Sequence, residues 1–103
     1  MKRTSRVITS AAILACAVTT TAYAEKIKIN MPSTFAGSLT QLGTAGVRFS
    51  ETVNLISGGD IEVKFYDPNA LIPPLEIYDN VSTGAVDAGW STSGYWGSKN
   101  SAL

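Results

Sequence analysis

Pro73-Pro74-Leu75-Glu76-Ile77-Tyr78-Asp79-Asn80-Val81-Ser82-Thr83-Gly84-Ala85-Val86-Asp87-Ala88-Gly89-Trp90-Ser91-Thr92-Ser93-Gly94-Tyr95-Trp96-Gly97-Ser98-Lys99 is the stretch on which the fold turns. Pro74 falls near N1 of a short helix, where its missing N–H does no harm. Ile77, Tyr78 and Val81 make the apolar side of that helix, and Gly84 ends it. Val86 to Ser91 reads as a short, half-apolar strand, and a polar–aromatic loop follows. In open α/β sheets, ligands bind just beyond the carboxyl ends of the strands. Ser91-Thr92-Ser93-Gly94-Tyr95-Trp96 therefore stands where a small polar ligand would be held.

Upstream, Lys26-Ile27-Lys28-Ile29-Asn30-Met31 alternates polar and apolar and reads as a first strand. Pro32 cannot donate to a ladder and ends it. Ser33 to Gly37 forms a loop, and Ser38 is a natural N-cap for the next helix. Leu39, Leu42, Gly46, Phe49, Val53 and Ile56 recur at helical spacing and define that helix's apolar face. Gly43 and Gly46 allow a neighbouring backbone to come close, and Gly58-Gly59 supplies a left-handed stop. Ile61 to Tyr66 alternates again as a second strand, and Asp67-Pro68-Asn69 marks a turn. The order β-α-β-α-β implies a parallel sheet with right-handed crossovers. All strand-end loops then emerge on one edge, which brings Ser33–Ser38 and Thr92–Trp96 together.

The opening residues carry an address. Lys2, Arg3 and Arg6 precede an apolar run from Val7 to Val18, and Ala22-Tyr23-Ala24 offers small residues at the positions a signal peptidase inspects. The run is too short for a transmembrane helix, which needs roughly 20 residues. Residues 1–24 are expected to be a cleavable signal peptide, with Cys16 a small apolar member of its core. The exported chain, residues 25–103, then has no cysteine and five cations against eight anions. That balance leaves no basic footprint for nucleic acid and no polybasic segment for anionic lipid. Histidine is absent from the whole sequence, which removes the commonest general base and transition-metal ligand. The acidic residues do not cluster. Neither catalysis nor a cofactor is expected, and no residue is singled out as a metal ligand.

Ser33-Thr34-Phe35 with Gly37, Phe49-Ser50-Glu51-Thr52-Val53 with Ser57-Gly58-Gly59, Ile61 to Tyr66 followed by Leu71-Ile72-Pro73-Pro74, and Ile77 to Asp87 occur in a specific order and spacing. In that order they resemble the solute-binding proteins of tripartite ATP-independent periplasmic (TRAP) transporters, the DctP family. Tyr95-Trp96 with Lys99 resembles the branch that takes 2-oxo and 2-hydroxy monocarboxylates or related organic acids. The resemblance implies an α/β, type II periplasmic-binding-protein-like fold, of which residues 25–103 would be the β-α-β-α-β opening part of the first lobe. It implies hinge closure of two lobes on a small carboxylate in the periplasm. Delivery to TRAP membrane subunits for ion-gradient-driven uptake would follow. It also implies a carboxylate-anchoring Arg on the second lobe, which has no counterpart here. Arg48 lies in the first helix and does not match it, so the sequence reads as an N-terminal portion. The same fold serving an ABC importer or a sensor, or a small autonomous exported enzyme or interaction domain, are the alternative readings. The solute, any accompanying metal ion and the oligomeric state are not specified by these residues.

The candidate ligand-binding residues follow from chemistry at the strand ends. The phenol of Tyr95 can donate to a carboxylate while its ring packs on the solute's carbon skeleton, or it can serve as a lobe-interface aromatic. Thr92 and Ser93 offer hydroxyls and backbone N–H groups to an anion, or ordinary turn chemistry. Phe35 can wall the cleft, with Ser33 and Thr34 donating, or staple the helix it precedes. Gln41, in the expected first helical turn, can reach the ligand or face solvent. Trp90 and Trp96 read as structural, and Asp87 as a turn residue at the opposite end of its strand.

Overall fold

The computed structural model describes residues 25–102. The signal peptide expected at residues 1–24, with Cys16, lies outside the described residues. Two strands form as the alternation requires: β1, Ile27–Pro32, and β2, Ile61–Tyr66. They pair in parallel from Ile27 opposite Ile61 to Pro32 opposite Tyr66. Ile29, Met31, Val63 and Phe65 share one face with the helix α1, Leu42–Ile56, which crosses between the strands. Lys28, Asn30, Glu62, Lys64 and Tyr66 share the other face. They line a shallow groove of about 240 Å³ with Ile29 at its edge. Parallel sheets usually bury both faces; this strand pair has one polar face, which is why alternation is legible in its sequence.

The second face is knitted by polar contacts. Tyr66 donates its hydroxyl to Asn30 Oδ1 at 3.0 Å, and Asn30 donates its backbone N–H and Nδ2 to Asp87 at 2.8 and 3.2 Å. Asp87 thus ties the third chain segment to β1. Lys26 pairs with Glu62 at 3.1 Å, and this partner holds the exposed Glu62 carboxyl below the ordinary carboxylate range.

The outer edge of β2 is closed by α1. Asn54 accepts from Val63 N at 2.6 Å and donates to Val63 O at 3.2 Å. The Ser57 hydroxyl bonds both the N–H and the carbonyl of Ile61, at 3.2 and 3.1 Å. Two short polar side chains therefore substitute for a neighbouring strand and protect an edge that would otherwise be sticky. Gly58 and Gly59 then turn the chain with φ of 63° and 95°.

Three expectations need correction. First, α1 starts at Leu42 rather than after Ser38, with Gln41 as its flanking residue. The intervening chain spends its hydrogen bonds on tight turns, Leu39 N to Ala36 O at 2.8 Å and Leu42 N to Thr40 O at 2.9 Å. The second closes a γ-turn at Gln41, whose φ and ψ are 67° and −61°. Second, of the apolar stripe from Leu39 to Ile56 only Gly46 is buried. Gly43, Gly46 and Ser50 are the buried residues of α1, whereas Leu39, Leu42, Phe49 and Ile56 are exposed. A Cβ on Gly43 would strike the carbonyl oxygen of Ala36, and one on Gly46 would come within 2.7 Å of the Phe65 ring and 2.9 Å of Trp90. The helix lies so close to sheet and loop that only its glycine face fits.

Third, the strand expected over Val86–Ser91 shrinks to one parallel bridge, Ser33 with Trp90. Trp90 N donates to Pro32 O at 2.9 Å, and Thr34 N donates to Trp90 O at 3.0 Å. Ala85 and Val86 instead donate to Asn80 O, at 2.8 and 3.3 Å, and so belong to the end of the preceding helix. That helix, α2, spans Ile77–Ser82, after a 3-10 turn over Pro74–Glu76 with proline where expected. Gly84 follows it with φ of 76°. The segment lies beside β1 on the side away from β2. Met31, Phe35, Val63, Ile77, Val86 and Trp96 form the buried core. Among the described residues no helix is long and apolar enough to cross a membrane.

Candidate functional site

The carboxyl ends of β1 and of the bridged segment meet where the topology places them. On one side stands the loop from Ser33 to Gln41. Ser33 is 1% exposed, and its hydroxyl accepts from Phe35 N at 2.9 Å and donates to Phe35 O at 2.8 Å. That local turn seats the Phe35 ring, which is 8% exposed. Ser33 therefore builds the loop rather than presenting a free hydroxyl. Thr34 reaches across, its hydroxyl 3.2 Å from Ser91 Oγ and 3.4 Å from Trp90 O. Gly37 N donates to Asp67 Oδ1, which ties this loop to the chain leaving β2.

The opposite side is the short 3-10 turn Ser93–Trp96, entered through Thr92 in extended conformation. Trp96 is buried, with its ring 5.6 Å from that of Tyr78 on α2. Lys99 pairs with Asp79 of α2, its Nζ 2.8 and 2.7 Å from the two carboxylate oxygens. Its ammonium also lies 5.9 Å from the centre of the Tyr78 ring. These contacts anchor the turn and leave Tyr95 half-exposed, with its ring 6.1 Å from Phe35.

Phe35, Leu42, Thr92, Gly94 and Tyr95 line an open surface recess of about 310 Å³. A second groove of about 340 Å³ lies behind the turn, against α2, and is lined by Thr92 and Ser93 together with Ile77, Val81 and Trp96. Thr92 stands on the ridge between the two. Of the sequence candidates, Phe35, Thr92 and Tyr95 are brought together in the recess, and Ser93 faces the groove beside it. Thr34 and Ser33 support the walls. Gln41 points away into a third groove of about 700 Å³ on the outer side of α1, with Arg48, Phe49 and Trp90 among its lining.

Leu42 lines the recess and was absent from the sequence candidates, because the helical stripe assigned it to the core. Its place in the first turn after a strand-end loop is the signal that could have found it. Trp90 Nε1 donates to Leu42 O at 2.7 Å, and the Trp90 and Phe49 rings stack at 5.8 Å. The indole thereby fixes the start of α1 against the bridged segment.

The aromatic recess lies at the carboxyl ends of parallel strands, the edge at which open α/β sheets hold ligands. The family model for bacterial extracellular solute-binding proteins, family 7 (DctP), matches residues 33–103, and the chain belongs to that family. Solved structures agree in fold. A TRAP transporter solute-binding protein from Bordetella bronchiseptica RB50 is 23% identical with a TM-score of 0.72, over 77% of this chain and 24% of its own. It was crystallised as a mixed-occupancy dimer with copurified calcium and picolinate in one site and the other site empty. A TRAP periplasmic solute-binding protein from Pseudoalteromonas atlantica T6c, with bound sodium and pyruvate, is 25% identical (TM-score 0.68, 74% of this chain, 23% of its own). One from Colwellia psychrerythraea, with bound calcium and pyruvate, is 26% identical (TM-score 0.68, 74% and 23%). The chain spans about a quarter of the length of these solved relatives. Curated protein sequences gave no match. The expected α/β, periplasmic-binding-protein-like fold is therefore the fold found.

Proposed function

We propose that the chain forms one wall of the ligand cleft of a TRAP-type solute-binding subunit, exported to the periplasm behind the signal peptide at residues 1–24, which captures a small organic carboxylate for uptake through TRAP membrane subunits. The carrying observation is the recess between Phe35 and Tyr95 at the carboxyl ends of parallel strands. Family membership and the pyruvate- and picolinate-bound relatives support the ligand class. Thr92 contributes a hydroxyl, Tyr95 a phenol, and the rings of Phe35 and Tyr95 pack the carbon skeleton. Binding without chemistry suits a chain that has no histidine.

The calcium and sodium of the relatives do not enter this reading. Among the described residues no three His, Cys, Asp or Glu side chains converge, and Asp79 is engaged by Lys99. An exchange experiment tests the proposal. Residues 33–102 replace the matching stretch of the Colwellia relative, and pyruvate binding is followed by calorimetry. Binding is expected to persist, and Tyr95→Ala within the exchange to weaken it about tenfold, as loss of one good contact would. A folded exchange protein that binds no pyruvate overturns the proposal.

A further inference from the structure

We infer that Asp67 is a positioning residue for the recess: its carboxylate, just past the end of β2, holds the loop that presents Phe35. The inference rests on the carboxylate reading above. Asp67 opens a tight turn in which Pro68 follows, Asn69 has φ of 65° and Ala70 N donates to Asp67 O at 3.0 Å. Proline in the second place and a positive φ in the third are what a type II turn requires, so the turn is set by its own residues. An Asp in a turn commonly bonds its own backbone two residues on. Here Oδ1 instead accepts from Gly37 N at 2.6 Å, 30 residues back in the chain.

Gly37 is placed to receive that bond. A Cβ there would lie 3.0 Å from Val47 of α1 and 3.3 Å from Phe65 of β2, so the loop's backbone runs close against both. Phe35 stands two residues upstream, with its N–H and carbonyl bonded to the Ser33 hydroxyl at 2.9 and 2.8 Å. The ring at the recess therefore sits between two polar anchors, one inside the loop and one on the turn after β2.

The sign of the effect separates positioning from charge. A carboxylate on the strand-end edge repels an anionic solute. Removing Asp67 as a mere surface charge would thus leave affinity unchanged or raise it. Removing it as a positioning residue frees the loop under Phe35 and lowers affinity.

The test uses the exchange protein, with pyruvate as the probe and calorimetry as the readout. Asp67→Ala is expected to weaken binding about threefold to tenfold, the worth of one ordinary hydrogen bond. Asp67→Asn removes the same charge but keeps an oxygen that can accept from Gly37 N, so its affinity should stay within about twofold of the parent or rise. On the full chain, amide hydrogen exchange at Gly37 should quicken in Asp67→Ala and not in Asp67→Asn. Unchanged or tighter pyruvate binding by Asp67→Ala overturns the inference and leaves the carboxylate reading standing. So does Asp67→Asn weakening binding as much as alanine, or Gly37 exchange that is the same in all three chains. An unsubstituted exchange protein that folds and binds no pyruvate overturns the carboxylate reading, and the inference with it.

Discussion

The two walls of the recess are made by different physics. The Ser33–Gln41 wall is held mainly through its own backbone: Ser33 N and Thr34 N donate to the carbonyls of Tyr66 and Trp90, Leu39 N donates to Ala36 O, the Ser33 hydroxyl and Asp67 carboxylate bond the backbone of Phe35 and Gly37, and the Ala36 carbonyl sits against Gly43. The Thr92–Trp96 wall is held by side chains: the buried Trp96 ring and the Lys99–Asp79 pair, both on α2. The backbone–backbone bonds and the Ala36–Gly43 contact have one arrangement, because no side chain rotation can relieve them. Side-chain anchors can release and re-form one at a time. On these contacts the first wall is the more fixed surface and the second the more adjustable one.

Gly43→Ala is expected to be the most damaging single change. Its methyl would collide with a backbone oxygen, and neither α1 nor the loop can yield without losing the Leu42–Trp90 contact. A loss of about 3 kcal/mol or more follows from overpacking against unyielding atoms, read as a lowered urea midpoint with unchanged slope. A loss below about 0.5 kcal/mol, the ordinary surface-site range, would show that the first wall is not fixed.

Trp96→Ala removes the anchor of the other wall. Truncating a buried Trp costs about 3 kcal/mol globally, but the comparison lies in where the loss appears. Amide exchange should quicken over 93–99 well before it quickens at Ser33 and Phe35. Equal acceleration on both walls would mean that they form one unit.

Much of this was legible in the sequence. The strands announced themselves because one face of the β1–β2 pair is polar, so Lys28, Asn30, Glu62 and Lys64 alternate with Ile29, Met31 and Val63. Gly58-Gly59 and Pro74 mark boundaries through backbone geometry that few other residues satisfy. The meeting of Phe35, Thr92 and Tyr95 followed from parallel topology alone. The orientation of α1 was legible only in part: Gly43 and Gly46 pointed to a close approach, whereas the apolar stripe misplaced Leu39, Leu42, Phe49 and Ile56. Hydrophobic periodicity locates the side chains that prefer burial, yet the face that packs here is Gly43, Gly46 and Ser50, which shares only Gly46 with the apolar stripe. Close approach of backbones favours small residues, and a hydrophobicity pattern is blind to that. The same error hid Leu42 in a core it does not join. Ser38 failed as a cap because the turns at Ala36–Leu39 and Thr40–Leu42 take up the chain first.

Lys99→Met separates anchoring by charge from anchoring by ring. The Lys99 and Asp79 side chains are 39% and 55% exposed, so solvent screens the pair and its loss should cost only about 0.5 kcal/mol. Methionine keeps most of the aliphatic stem, so packing on the Tyr78 ring is largely retained. The expected signature is local: faster exchange at Tyr95 and Trp96, an unchanged urea midpoint within about 0.5 kcal/mol, and Ser33 and Phe35 untouched. Raising the salt concentration in the unsubstituted protein should reproduce the change at Tyr95 by screening the same pair. If neither treatment alters Tyr95, Trp96 alone holds the second wall. The adjustable part of the recess would then be its exposed tip at Gly94 and Tyr95 rather than the turn as a whole.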